Sequence, residues 1–345
     1  MNRRLRTVRA VLWGFALFSG NAFANPLLDT ATSDSLTFPK GDGLAGIQTS
    51  YRRSDHFFIG TDRRSTAADG SSLAFDDFIL SFRGAYGLTD RMTLWLELPV
   101  VYRSEGEKYD AQDQGVGDTT AGVRYLLFGT SEKTQGAFDL NGRFPSGDTG
   151  VGFADPATGR KPKLPLGTGC SEIEPGLFLR HRFGKVLSTD LGASYAFRLS
   201  ALVQYLSTSN IALTASDGTT IYQLPAGNLK IDWGDQLTLR GRVGFEVTPS
   251  FHLEAGAVWF HRWPTLVHSF ALTQAGNTIT SAPQDLESGA SRLLSTEPAL
   301  SLRISRRWRI RASASIPILG DNYPVLPVVE SAVGNSYRLE AHYEF

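Results

Sequence analysis

Charged side chains spaced two residues apart are the groups in this chain whose type and position could do chemistry. Arg309 and Arg311 form one such pair, and Arg240 and Arg242 form another. Because successive side chains of an extended strand point to opposite faces, residues two apart share a face. Applied along the chain, this rule collects a group of charged residues that we call the interior set. Its members are Arg83, Glu97, Arg124, Asp139, Arg143, Glu174, Arg180, Arg182, Asp190, Arg198, Arg240, Arg242, Glu246, Glu254, Arg303, Arg309, Arg311, Arg338 and Glu340.

Two kinds of chemistry are open to the interior set. Its arginines could line a passage and raise the local concentration of anions. Alternatively, the arginines could pair with the carboxylates in a ladder that satisfies both partners and leaves only a narrow passage. Because arginine outnumbers acidic residues in the set, both arrangements predict a preference for anions.

Signatures of catalysis and of metal binding are weak. One cysteine excludes a disulfide framework, and six histidines leave little for a zinc cluster. A lipid-hydrolysing pair would need His and Ser on one strand face, whereas His268 and Ser269 are adjacent. Gly115 and Gly117 lack the third glycine and the lysine of a phosphate-binding loop. The sequence therefore predicts no enzyme activity, no cofactor and no metal. Basic and acidic residues number 34 each, which disfavours nucleic acid as a partner.

The elements that must position the interior set are β-strands with one apolar face. In the last segment, Tyr337 and Leu339 share a face, and Arg338 lies on the other. Eleven segments alternate clearly in this way and carry no Asp, Glu, Lys or Arg on the apolar face. Residues 44–52 form a twelfth, less regular segment.

The connections between these segments alternate in length. Those at 89–91, 129–135, 184–186, 248–250 and 305–307 are short, and the connections between them are longer. Outer-membrane barrels combine short periplasmic turns with longer extracellular loops, and a sheet in lipid must close because no water satisfies its edges. We therefore predict an all-β fold, a transmembrane antiparallel up-and-down β-barrel of about 12 strands. A soluble barrel or sandwich with its apolar face inward is the alternative.

The N-terminus predicts export. Residues 1–9 contain four arginines and no acidic residue, the following residues are apolar, and Ala22-Phe23-Ala24 resembles a signal-peptidase site. We therefore predict a signal peptide at 1–24, a periplasmic N-terminal segment at 25–43 and the barrel at 44–345.

Three segments resemble the bacterial MetA-pathway of phenol degradation family: GVGDTTAGVRYLLFG (115–129), RFPSGDTG (143–150) and LELPVVY (96–102). The resemblance implies a barrel in the outer membrane of a Gram-negative bacterium. It further implies a channel or transporter for passive uptake or efflux of small molecules, with aromatic or hydrophobic compounds as cargo. The family has no catalytic residues that could be assigned to positions of this chain. The chain ending also resembles the terminal aromatic signal read by the outer-membrane assembly machinery, which implies that role for Tyr343 and Phe345.

The longer connections leave alternatives open. Arg160, Lys161 and Lys163 are expected to form a basic rim that contacts lipopolysaccharide phosphates within the outer-membrane lipid. Residues 200–235 and 264–293 are long enough to fold inward as a constriction or outward as a binding surface. A structural or adhesive barrel therefore remains an alternative to a channel. A lipid-hydrolysing barrel is a further alternative, because some outer-membrane barrels of twelve strands are phospholipases.

Overall fold

A computed structural model describes the greater part of the chain. The described residues are 36–54, 56–59, 61–65, 75–105, 111–129, 133–150, 163–184, 186–205, 209–215, 218–224, 227–270, 273–274, 284–287, 290–321 and 334–345. The predicted signal peptide lies outside them. No helix long and apolar enough to cross a membrane occurs among the described residues.

The regular elements in the described part of the chain are β-strands. In chain order they are β1 (Gly43–Ser54), β2 (His56–Ile59), β3 (Asp62–Ser65), β4 (Phe75–Thr89), β5 (Met92–Glu105), β6 (Ala111–Val116), β7 (Thr119–Phe128), β8 (Thr134–Phe144), β9 (Glu172–Phe183), β10 (Leu187–Arg198), β11 (Ala201–Tyr205), β12 (Ser209–Ala215), β13 (Gly218–Leu224), β14 (Gly227–Asp232), β15 (Gln236–Thr248), β16 (Phe251–Arg262), β17 (Leu266–Phe270), β18 (Thr273–Gln274), β19 (Gln284–Glu287), β20 (Ser291–Arg303), β21 (Trp308–Asp321) and β22 (Ser336–Glu344).

One antiparallel sheet closes on itself. Strand β1 pairs with β4 on one side and with β22 on the other. Strands β6 and β7 both pair with β5, so together they form a single barrel strand that is interrupted at Gly117 and Asp118. The sheet of 13 strands is therefore a closed barrel of 12, and the predicted fold is confirmed.

The two ends of the barrel differ. The short connections β4–β5, β7–β8, β9–β10, β15–β16 and β20–β21 all lie at one end, which we call the short-turn end. The first residues of β1 and the last residues of β22 also lie there, because these strands pair antiparallel. The opposite end, which carries the longer connections, is the long-loop end.

The apolar face of the sheet points outward. Along β5, Leu94, Leu96 and Leu98 are each 42% exposed, whereas Thr93 and Trp95, on the opposite face of the strand, are buried. A charged side chain at the bilayer midplane would cost about 2 to 4 kcal/mol, which explains why this outer face is apolar. The buried, polar face is the interior of the barrel.

Several strand boundaries differ from the prediction. Strand β1 begins at Gly43 rather than at 44. The alternating pattern predicts one of the longer connections at residues 103–115, and in the structure it is shorter, because β5 and β6 continue as a hairpin as far as Glu105 and Ala111. The connections predicted at 200–235 and 264–293 contain β11–β14 and β17–β19, which pair among themselves and do not join the barrel sheet. Most of these strands do not alternate strictly between polar and apolar residues, as in ALVQY of β11 and GTTIYQL of β13, so the pattern did not mark them.

Candidate functional site

Glu340 is the centre of a buried ion-pair network on the interior face. Its side chain is fully buried, and Oε1 lies 3.6 Å from Arg83 Nη1 and 3.7 Å from both Arg311 Nη1 and Arg338 Nη1. Oε2 lies 3.0 Å from His342 Nε2. Four basic side chains therefore surround one carboxylate. The sequence pattern had placed Arg83, Arg311, Arg338 and Glu340 on the same face of the sheet.

A glycine makes this cluster possible. Gly46 of β1 lies between Arg83 and His342 in the register of its two neighbouring strands. A Cβ at Gly46 would lie 2.7 Å from His342 Nδ1. Because no side chain occupies this position, Arg83 on β4 reaches across β1 to Glu340 on β22.

The network extends around two thirds of the barrel, across eight of its twelve strands. Glu254 Oε2 lies 3.3 Å from Arg242 Nη1 and 2.9 Å from Arg311 Nη2. At the other end, Arg83 Nη2 lies 2.9 Å from Glu97 Oε2. The continuous order is Arg242, Glu254, Arg311, Glu340, Arg83 and Glu97, which joins β15, β16, β21, β22, β4 and β5.

The remaining third of the wall, strands β7 to β10, holds separate pairs. Arg124 forms a two-point contact with Asp139, with both hydrogen bonds at 2.6 Å and both side chains fully buried. Arg180 forms a similar contact with Asp190, at 2.7 and 3.1 Å. Planar two-point pairing of this kind is the strongest arrangement open to arginine and carboxylate.

The long-loop end contains charged residues that the interior set missed. Glu172 lies 2.9 Å from Arg198 Nε and 3.7 Å from Arg143 Nη2. Asp77, also fully buried, pairs with Arg52 and, at 2.6 Å, with Arg103. Asp77 lies an even number of residues from Arg83 on β4, and Arg103 an even number from Glu97 on β5, so each pair shares a face. Extending the alternation to the strand ends would therefore have found Asp77 and Arg103.

The interior set lies on one face, with different degrees of burial. Its buried members are Arg83, Arg124, Asp139, Arg143, Arg180, Arg242, Glu254, Arg309, Arg311, Arg338 and Glu340. Glu97, Glu174, Arg182, Asp190, Arg198 and Arg240 are partly buried. Glu246 and Arg303 are exposed because they lie beside the turns at 249–250 and 304–307, at the rim of the short-turn end.

The N-terminal segment covers part of the interior wall at the short-turn end. Leu36 N donates a hydrogen bond of 2.9 Å to Gln135 Oε1, and Arg124 Nη1 donates one of 3.4 Å to the Leu36 carbonyl oxygen. Phe38 N donates to Thr93 Oγ1 at 2.9 Å. The last residues of the predicted segment 25–43 therefore pack inside the barrel, next to the buried Arg124–Asp139 pair.

The β8–β9 connection contributes a short buried stretch at the opposite end. Cys170 is buried, and its thiol donates hydrogen bonds to the carbonyl oxygens of Leu199, at 2.9 Å, and Ser171, at 3.3 Å. Burial raises the pKa of this thiol to about 11. In the same connection, Lys163 lies 2.6 Å from Asp148, and its hydrogen bond lowers the pKa of the Asp148 carboxyl. The predicted basic rim is thus partly neutralised at Lys163; Arg160 and Lys161 lie outside the described residues.

The predicted assembly signal lies at the seam between the first and last strands. Phe345 N donates a hydrogen bond of 3.1 Å to the Gly43 carbonyl oxygen, and Gly43 N donates one of 3.0 Å to the Phe345 carbonyl oxygen. The Tyr343 ring packs against Trp308 with centroids 5.3 Å apart, and Arg307 donates to the Tyr343 hydroxyl at 2.9 Å. Aromatic residues with a polar contact are typical of the membrane interface.

Solved structures identify the fold. The COG4313 outer membrane channel from Pseudomonas putida F1 matches with a TM-score of 0.60 at 13% identity, over 91% of this chain and 98% of that chain. The chain folds as an outer-membrane channel does. The TodX deltaS2S3 mutant monoaromatic hydrocarbon channel matches with a TM-score of 0.48 at 10% identity, over 95% of this chain and 96% of that one. The NanC porin matches with a TM-score of 0.43 at 9% identity, over 87% of this chain and 98% of that one.

No protein-family model and no curated protein matches the chain. The part of the chain that the structure describes contains no group of three or more His, Cys, Asp or Glu side chains that could hold a metal ion.

Proposed function

We propose that this protein is a passive outer-membrane channel for small molecules, with a preference for anions. The observation that carries the proposal is the charged interior: a closed barrel, apolar outside, has arginines on the inner face of strand after strand. Rings of arginine favour anions. The paired side chains described above fill part of the interior, which makes the proposed passage narrow. They also neutralise part of the charge, so the anion preference comes from the arginines that exceed the carboxylates in number.

The resemblance to the MetA-pathway of phenol degradation family adds aromatic compounds as candidate cargo. A charged interior favours the ionised forms of such compounds over neutral hydrocarbons, because a polar wall offers hydrogen bonds and charge to a carboxylate. We therefore propose small organic anions, aromatic carboxylates among them, as the cargo. We further propose export by the signal peptide at 1–24, insertion through recognition of Tyr343 and Phe345, and contact with lipopolysaccharide at the long-loop end.

Reconstitution of the folded protein in planar bilayers tests the channel. In a potassium chloride gradient we expect single-channel currents whose reversal potential has the sign of an anion-selective pore. Addition of benzoate to one side then measures permeation of an aromatic anion relative to chloride. Absence of conductance in a preparation that shows the heat-dependent gel mobility of a folded barrel would refute the channel, and cation selectivity would refute the arginine argument.

A further inference from the structure

Part of the β8–β9 connection folds into the long-loop end of the barrel. We call residues 163–171 the inner segment. Leu164, Pro165 and Leu166 are buried there, next to a wall that carries Asp77 and Arg103. Arg103 Nη1 donates a hydrogen bond of 2.5 Å to the Pro165 carbonyl oxygen. The inner segment therefore lies against the interior wall, held at one point by an inward-pointing side chain of β5.

Two glycines give the inner segment its place against the wall. A Cβ at Gly115 would lie 2.9 Å from Leu166 Cδ1. A Cβ at Gly117 would lie 2.8 Å from Val101 Cγ2 and 3.6 Å from the Leu166 carbonyl oxygen. The interrupted strand β6–β7 therefore has no side chain at the two positions beside Leu166, and a larger residue at Gly115 would force the Leu166 side chain to move.

Asp118, which directly follows these glycines, ties the inner segment to the wall. Its carboxylate accepts hydrogen bonds of 2.7 Å from both Thr168 N and Thr168 Oγ1, and one of 3.1 Å from Gly147 N. Ser146 Oγ donates to the Gly117 carbonyl oxygen at 2.8 Å and accepts from Thr119 N at 2.9 Å. The Gly-Val-Gly-Asp motif (115–118) and the Pro-Ser-Gly-Asp motif (145–148) therefore contact each other through the Asp118 carboxylate.

We propose that Asp118 is a positioning residue that holds the inner segment in the passage as its constriction. The two motifs then set the size of the solutes that pass. This inference rests on the proposed channel function, since a constriction has meaning only in a conducting barrel. The attachment of the segment by Asp118 can nevertheless be tested without any conductance.

Cys170 provides that independent test, because it is the only cysteine of the chain and is buried at the end of the inner segment. Hydrogen bonds to a charged group contribute a factor of about ten or more each to the closed population. Asp118→Ala removes three of them, so we expect maleimide to label Cys170 at least about tenfold faster than in the unmodified protein. Asp118→Asn keeps an acceptor oxygen and should give an intermediate rate.

Asp113→Asn is the matched control. Asp113 lies on β6, two residues before Gly115, and its carboxylate accepts a hydrogen bond from the neighbouring Gln114 N. The labelling rate of Cys170 in this variant should remain that of the unmodified protein.

Thr168→Ala removes two hydrogen bonds, the one that Thr168 Oγ1 donates to Asp118 and the weaker one, of 3.3 Å, that it accepts from Cys170 N. It leaves the Asp118 bonds to Thr168 N and Gly147 N, so labelling and conductance should shift less than in Asp118→Ala. This variant keeps the test available should Asp118→Ala fail to fold.

Single-channel conductance completes the experiment. Asp118→Ala should conduct more than the unmodified protein and admit larger anions. Faster labelling with unchanged conductance would overturn the constriction while leaving the attachment in place. Equal labelling rates in all variants would overturn the attachment itself. An unmodified protein that does not conduct would instead refute the proposed function, and the labelling rates would still decide whether Asp118 holds the segment.

Discussion

Replacing Glu340 by glutamine should be one of the most destabilising single changes in the barrel wall. The side chain of Glu340 is fully buried, and Arg83, Arg311, Arg338 and His342 all lie within 4 Å of it. Removing one partner of a buried ion pair costs about 3 to 5 kcal/mol, because the other charge stays buried. Since several cations share this carboxylate, we expect a loss near the upper end, about 4 to 5 kcal/mol of unfolding free energy.

Equilibrium unfolding by urea in phospholipid vesicles, followed by tryptophan fluorescence, measures this loss. Glu246→Gln is the matched control, because Glu246 belongs to the same face but is exposed at the short-turn rim. Its effect should stay within about 0.5 kcal/mol. If Glu340→Gln cost no more than Glu246→Gln, the central network would be screened by water, and the argument from burial would be wrong.

Three further predictions follow from the wall, the inner segment and the seam. Replacing Arg240 and Arg242 together by serine should lower the anion-to-cation permeability ratio; an unchanged reversal potential would contradict a role for interior arginine in selectivity. Cys170, with its pKa raised to about 11, should react with maleimide about tenfold faster per pH unit as the pH rises towards that value, and a plateau near pH 9 would contradict its burial. Phe345→Ala should reduce the amount of folded protein in outer membranes, whereas Phe144→Ala, at the opposite end of the barrel, should not; equal yields would exclude the terminal signal.

The barrel could be predicted from the sequence because lipid imposes a simple rule on every strand. Leu94, Leu96 and Leu98 must all be apolar wherever they lie on the circumference, so the pattern repeats without reference to any partner. The interior face follows by elimination, and most of its charged residues could be named in this way. Their partners across strands, such as Glu340 for Arg83, require the register, which the pattern alone does not contain.

The two inward-folded stretches left no such pattern. Leu36 and Phe38 are held by main-chain hydrogen bonds and by packing of their side chains against small apolar clusters of the inner wall. Two apolar residues form no periodic pattern, so the sequence predicted a periplasmic segment at 25–43 without a place inside the barrel.

For the inner segment, the anchoring residue was visible but its role was not. Asp118 lies in a segment that we noted for its resemblance to a family. Its hydrogen bonds reach Thr168, 50 residues further along the chain. A contact of that separation leaves no local signal in one sequence.

Closure of the sheet by β1 and β22 has a consequence for how the molecule forms. Each barrel strand after β1 can zip onto the strand made just before it, but the Gly43–Phe345 contact joins the beginning of the barrel to the last residue of the chain. Contacts between residues so far apart in the sequence form slowly, because the long intervening chain must be ordered before the contact adds stability. Until that last step, two sheet edges remain open in an environment that offers them no hydrogen bonds. Barrel closure is thus expected to be the slow, late event of biogenesis, and the step at which a catalyst of insertion would accelerate it most.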